Sequence, residues 1–320
     1  MDPEKIIHIL LYLISTSLKL IRKPLPNFFF KATTLFIWLL ITSLPAYSKQ
    51  TQENLSGIKP LFWFKADAIP AQKNGSRVSV WQDQSINQHQ AHCHNPQLMP
   101  TYQHHQLGEK KPHLIFDGKS NRFDLGNHKD INTKRFYKEK TIIIVFKTSY
   151  QIERQQVIYE EGGEHRGLNL SIHQGKLYIG GYNILKDDYH TTPWGYIYLS
   201  IPLELNTLYI GVLSYNFNQK AFEGYLNGKY LGKIPEVGIL YAHPGRIGIG
   251  GACETTILYN DEFLFPEKGG MFFDGNLYEI LYYDHAMNQS QSLLLQTYLA
   301  TKYGIELYRE INPIEPNDTQ

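Results

Sequence analysis

From residue 58 onward the chain alternates apolar and polar side chains with a period of two, the pattern of strands lying on a sheet. Leu168, Leu170 and Ile172 face one way, and Asn169, Ser171 and His173 the other. Gln174-Gly175 then turns the chain into Lys176–Gly180, which predicts a hairpin. A second hairpin is predicted where Ala221–Leu226 and Lys229–Ile234 flank Asn227-Gly228. Asn-Gly supplies the two positive φ angles of a type I′ turn. Thr141–Phe146 and Leu208–Leu213 are apolar on both faces, as central strands under a second layer must be. With Arg246–Gly250 and Leu277–Tyr283, about a dozen short strands separated by Gly and Asn turns predict two packed antiparallel sheets.

No stretch between residues 58 and 285 has the spacing of a long amphipathic helix. One follows the strands, at about residues 289–303. Asn288 and Gln291 form a capping box at its start. Leu294, Leu295, Tyr298 and Leu299 repeat at helical spacing, and Gly304 stands where a C′ glycine belongs. Its apolar stripe is expected to lie against the edge of the sandwich.

The first residues read differently. Ala32–Leu44 is an uncharged, mostly apolar run preceded by Lys31 and followed by Ala46-Tyr47-Ser48, a small-x-small cleavage site. A basic flank, a short apolar core and small residues are the features of a secretory signal. The run is shorter than the roughly 20 residues that span a bilayer, which favours cleavage near Ser48 over a retained membrane anchor. The expected organisation is a signal or targeting segment at 1–48, a linker at 49–57, one domain at 58–308 and a frayed tail at 309–320. An exported protein, periplasmic, secreted or on the cell surface, follows from it. Contact with a membrane is expected only through the N-terminal segment, if that segment stays uncleaved.

Charge removes one class of partner. Lys and Arg total 31 against 30 acids, a formal net charge of +1. Five basic residues and two acids lie before residue 32, so the remainder is close to −2. Nucleic-acid binding driven by bulk positive charge is thereby excluded, because such affinity comes largely from neutralising phosphates. Aromatic residues make up 13% of the chain, 23 of them Tyr, enough to build a sizeable core.

Several stretches, in order, resemble bacterial laminin G-like domains of the concanavalin A-like lectin/glucanase jelly-roll superfamily. They are Leu61-Phe-Trp-Phe-Lys-Ala-Asp67, Val80-Trp-Gln-Asp-Gln-Ser85, Leu114-Ile-Phe-Asp-Gly118 and Glu160-Glu-Gly-Gly163 with Arg166-Gly-Leu-Asn-Leu170. Phe273-Asp-Gly-Asn-Leu-Tyr-Glu-Ile-Leu-Tyr-Tyr-Asp284 and Tyr298-Leu-Ala-Thr-Lys-Tyr-Gly-Ile305 complete the set. Where that family often has Ser-Gly-Asn-Gly this chain has Ser85-Ile-Asn-Gln88, which predicts a reshaped loop. The resemblance implies a jelly-roll domain, exported or on the surface, that binds a glycan or another cell-envelope component. The superfamily also holds hydrolases and lyases, and fold alone does not choose among them.

Catalytic motifs are weak. A retaining glycosidase needs two carboxyls about 5 Å apart. Glu160, Glu161 and Glu164 come nearest, but Gly162-Gly163 interrupts them, and they are expected to be solvated loop charges, as are Asp187-Asp188 and Asp261-Glu262. No catalytic residue is assigned. A polysaccharide-cleaving enzyme, for example a lyase using Tyr and His, and a protein-adhesion module stay as alternatives.

Trp63 and Trp81 are expected to pack in the core. For ligand binding the richest segment is Tyr182–Tyr196, where Tyr182, Asp187, Asp188, Tyr189 and Trp194 combine rings and carboxylates. In the family pattern Trp194 also falls at a strand position, which implies that it packs. His89, His92, His94, His104, His105 and His113 crowd into 25 positions around Cys93. Of these, His92, His94, His104 and His105 are weak candidates for a transition metal, and a His-rich surface loop is the plainer expectation. Asp83, Ser85 and Asn87 have EF-hand-like spacing, but Gln88 replaces the required Gly, so Asp83 is expected to cap its own turn. Ca2+ held by scattered loop oxygens leaves no motif and stays open. A Cys93–Cys253 disulfide stays open too, since export allows one.

Overall fold

The computed structural model describes residues 59–70, 72–104, 111–185, 194–259 and 264–308, except the side chains of 264–268. The expected signal, linker and tail lie outside these residues, as do His105, Asp187, Asp188, Tyr189, Asp261 and Glu262. The described residues belong to one compact unit beginning at Lys59.

The early strands are short: β1 Phe62–Lys65, β2 Ser76–Arg77, β3 Val80–Trp81, β4 Ala91–His92, β5 Thr101–Gln103, β6 His113–Asp117 and β7 Phe123–Gly126. The middle set is β8 Phe136–Tyr137, β9 Glu139–Thr148, β10 Gln156–Gly162, β11 Arg166–His173, β12 Lys176–Asn183, β13 Gly195–Pro202 and β14 Leu208–Asn216. Then come β15 Ala221–Leu226, β16 Lys229–Pro235, β17 Leu240–Tyr241, β18 Ile247–Ile249, β19 Ala252–Tyr259, β20 Leu264–Gly270 and β21 Asp274–Tyr283. The helix α1, Gln289–Tyr303, closes the series.

Two large antiparallel sheets result. One runs β16-β15-β14-β9-β21-β6-β5-β2, with β1 also paired to β21; the other runs β13-β12-β11-β10-β18-β7-β4-β3. Phe146, Leu213, Phe222 and Leu277 of the first sheet share one buried cluster with Leu168, Leu170, Leu177 and Ile179 of the second. The sheets touch so closely that a Cβ on Gly211 of β14 would lie 3.4 Å from Leu170 of β11. The all-β, two-layer sandwich expected from the alternation is therefore the fold.

Local chemistry accounts for the turns. Asn227 and Gly228 take φ of 47° and 79°, the I′ geometry that joins β15 to β16. Asn288 accepts from the Gln291 amide at 2.9 Å while the Gln291 side chain accepts from the Asn288 amide at 3.0 Å, and Gly304 ends the helix at φ 71°.

Part of each outer face is covered, which the alternation did not predict. The helix lies over the first sheet rather than at its edge: Lys302 and Tyr303 both reach Glu279 of β21 at 2.6 Å, and β21 sits inside the strand order. Glu279 also accepts from the Trp63 indole at 2.5 Å, so one buried carboxylate ties helix, β21 and β1 together. Trp63 is half-buried here, and Trp81 is wholly within the core. The β19–β20 hairpin covers the second sheet. Asn169 and Tyr198 both donate to the carbonyl of Ile257, at 3.0 and 3.1 Å. The polar side of β11 is consequently as buried as its apolar side.

Candidate functional site

Strand β10 runs unbroken to Gly162, so Glu160 and Glu161 are strand residues, not solvated loop charges; both are buried, while Glu164 is exposed. Adjacent strand positions point to opposite sides. Glu161 points between the sheets. There it meets Lys140 of β9 in an ion pair and accepts from the hydroxyls of Tyr159 at 2.7 Å and Tyr282 at 3.4 Å. Lys140 has three acceptors for its three protons: Glu161, the Ile131 carbonyl at 2.7 Å and His243 Nε2 at 3.3 Å. The His243 Nδ1–H donates to the Tyr241 carbonyl at 2.7 Å, and its Nε2 lies 3.3 Å from Lys140 Nζ and 3.2 Å from Glu161 Oε1. Burial and the Lys140 charge hold His243 below the usual imidazole range. Burial works to raise Glu161, but the Lys140 charge and the hydrogen bonds outweigh it and keep the carboxyl below its usual range.

Glu160 faces the β19 side of the same strand. Its Oε1 accepts from the Cys253 amide at 3.1 Å, and its Oε2 has no partner among the described residues. Burial raises its carboxyl to about 8, so it is mostly protonated at neutral pH. Neither carboxyl reaches solvent, so neither can meet a polymer.

Two clefts open beside this cluster. The larger, about 650 Å³, has Tyr137, Lys140 and Tyr282 at its floor. Phe136, half-buried, and Asn218, Lys134 and Lys138, all exposed, line its walls. The Tyr137 hydroxyl donates to the Lys129 carbonyl and accepts from the Lys134 amide, both at 2.6 Å, which closes the 129–137 loop onto the cleft. Burial pushes Tyr137 and Tyr282 up, so neither phenol is a base at neutral pH. The smaller cleft, about 380 Å³, lies where His165, Arg166, Glu254 and His243 come together. His243 lines this one and Lys140 the other, so the sealed cluster separates them.

Of the expected ligand surface, only Tyr182 and Trp194 lie among the described residues. Tyr182 is wholly buried and donates to the Gly163 carbonyl at 2.6 Å, so its ring offers no face to a sugar. Gly162 gives that hydroxyl room, since a Cβ there would stand 2.5 Å from it. Trp194 is half-buried, packs on the main core and stacks on Tyr215 at 6.3 Å. Among the described metal candidates, His92 and His94 stack on each other at 5.4 Å, and His104 stacks on Tyr102. The plainer expectation also needs correction, because His89 and His113 are buried. Cys93 and Cys253 are free. Each sulfur faces backbone carbonyls instead, Asn95 for Cys93 and Phe123 and Ile247 for Cys253.

Asp83 does organise its own loop. It accepts from the amides of Trp63, Ser85 and His89 and from the Ser85 hydroxyl, at 2.6–2.9 Å. Gln88 takes a φ of 56° in that loop, so the left-handed backbone is kept without glycine. The residues missed by sequence are His128 and Asp130, which the β4–β7 pairing brings beside His89.

No family model matches the chain, and no curated protein matches it. Among solved structures, the botulinum neurotoxin serotype D binding domain aligns at 11% identity and a TM-score of 0.49, over 75% of this chain and 51% of that one. The chain thus spans about half the length of that domain. The Ruminococcus gnavus IT-sialidase CBM40 bound to α2,3-sialyllactose aligns at 12% identity and a TM-score of 0.42, over 58% of this chain and 96% of that one. A Limulus polyphemus SAP-like pentraxin aligns at 16% identity and a TM-score of 0.37, over 55% and 77%.

Proposed function

We propose that this protein is an exported laminin G-like domain that binds a glycan at or outside the cell envelope, in the larger cleft, without cleaving it. The observation that carries this is the composition of the cleft. A sugar presents apolar C–H faces ringed by hydroxyls, and its sites combine aromatic surface with a few fixed polar groups. Phe136 supplies the first, and Asn218, Glu139 and the rim lysines the second. Asn218 donates to Glu139 Oε1 at 2.6 Å, so those polar groups are held in position before a ligand arrives. Binding is favoured over turnover because Glu160, Glu161 and His243 are sealed from the cleft and its phenols are held protonated.

The test is a broad glycan array read with wild type and Phe136→Ala, followed by incubation with the retained polysaccharide. Retention of at least one glycan class, weakened at least about tenfold by Phe136→Ala with no new reducing or unsaturated ends, is expected. A silent array, or binding unchanged in the variant, contradicts the site; release of cleaved product contradicts the binding-only role.

A further inference from the structure

We propose that His89, His128 and Asp130 form a binding site for a divalent transition-metal ion, zinc first among them. One donor atom from each of the three lies within 4.8 Å of the others. His89 Nε2 stands 2.8 Å from Asp130 Oδ2, and the two imidazole rings meet edge-on with centroids 4.3 Å apart. A tetrahedral ion with bonds of about 2.0–2.1 Å holds its ligand atoms about 3.3 Å apart.

The surroundings orient the ligands as a metal site requires. His128 Nε2 lies 2.7 Å from the Leu125 carbonyl, so that nitrogen donates and Nδ1 is left as the metal-binding atom. Ligand imidazoles are commonly fixed in this way by a backbone carbonyl on the far nitrogen. The His128 carbonyl accepts from the amides of Ile131, Asn132 and Thr133, and its amide donates to Asn132 Oδ1 at 2.9 Å. This builds the π-type turn Lys129–Thr133, which carries Asp130 back toward His128. Such turns recur at functional sites. His89 is held from the other side, through its amide bond to Asp83 at 2.9 Å.

Two imidazoles and one carboxylate suit zinc, copper, nickel or iron, whereas calcium takes six to eight oxygens. Three protein ligands leave at least one position for water or another ligand. Asp130 also lines the larger cleft, whereas His89 and His128 are not among its lining residues.

The site is independent of the glycan reading, and zinc alone tests it. Untagged full-length protein is titrated with ZnCl2 by calorimetry, and Co2+ substitution is followed by visible absorption. His128→Ala and Asp130→Asn are measured in parallel, with circular dichroism confirming that both are folded. His92→Ala/His94→Ala serves as the control. The expected result is one tight equivalent in wild type and in the control, weakened at least about 100-fold in both site variants, since losing even an outer-shell partner costs 10–100-fold. Absence of zinc binding in wild type, or binding that Asp130→Asn and His128→Ala retain, overturns the proposal.

Discussion

The molecule holds two polar clusters within reach of one cleft, and water reaches only one of them. Around Glu161 every charged group is buried, and the lysine has as many acceptors as protons. Around Asp130 the carboxylate is half exposed, and it meets His89 in one hydrogen bond at 2.8 Å. The difference teaches where change is costly. Breaking a buried pair strands a charge where water cannot compensate it, whereas an exposed pair contributes about 0–1 kcal/mol. Recognition can therefore reside at the rim while the interior holds the sheets in place.

The largest expected effect lies inside. Lys140→Met leaves the Glu161 carboxylate buried without its cation and should destabilise the fold by about 3–5 kcal/mol, read by urea denaturation. A double variant that also replaces Glu161 with Leu should recover part of that loss. Two additive losses would show that the pair is not coupled.

Glu160 sharpens the contrast through pH. Its folded pKa of about 8 lies above the ordinary 4.5, so the folded state holds the proton more tightly. Its contribution is full below about 4.5 and is lost as pH rises toward 8. Glu160→Gln, permanently neutral, should gain stability on wild type by about 1.4 kcal/mol per pH unit across that window and run parallel above it. His243 acts with the opposite sign, because its depressed folded pKa makes stability fall as pH drops below about 6.5. Parallel curves for wild type and Glu160→Gln throughout would mean that Glu160 is ionised in the fold.

Smaller effects belong to the rim. Gln88→Gly removes a left-handed non-glycine residue from the loop before His89 and should stabilise by about 1 kcal/mol in thermal unfolding. Phe136→Ala should change stability by less than about 1 kcal/mol while weakening glycan binding. A large loss of stability instead would make Phe136 part of the interior.

The strands, the Asn227-Gly228 turn and the caps of the helix were legible because each depends on neighbours a few residues apart. The two-residue strands β2, β3, β4, β8 and β17 are too short to show a period. Glu160 and Glu161 looked like loop charges because their partners, Lys140, His243 and Cys253, are 21 to 93 positions away and leave no local mark. Tyr182 lies under β19–β20, a contact between positions 74 apart that composition alone does not show. His89 was noticed among its neighbours, but its partners at 128 and 130 come from another strand's end, a juxtaposition that only pairing creates.

The most direct measurement is amide hydrogen exchange with and without the oligosaccharide that binds best on the array. Glycan recognition in the larger cleft predicts slowed exchange at residues 129–139 and around Asn218. Protection confined to the 182–196 segment, or none anywhere at saturating sugar, would contradict it.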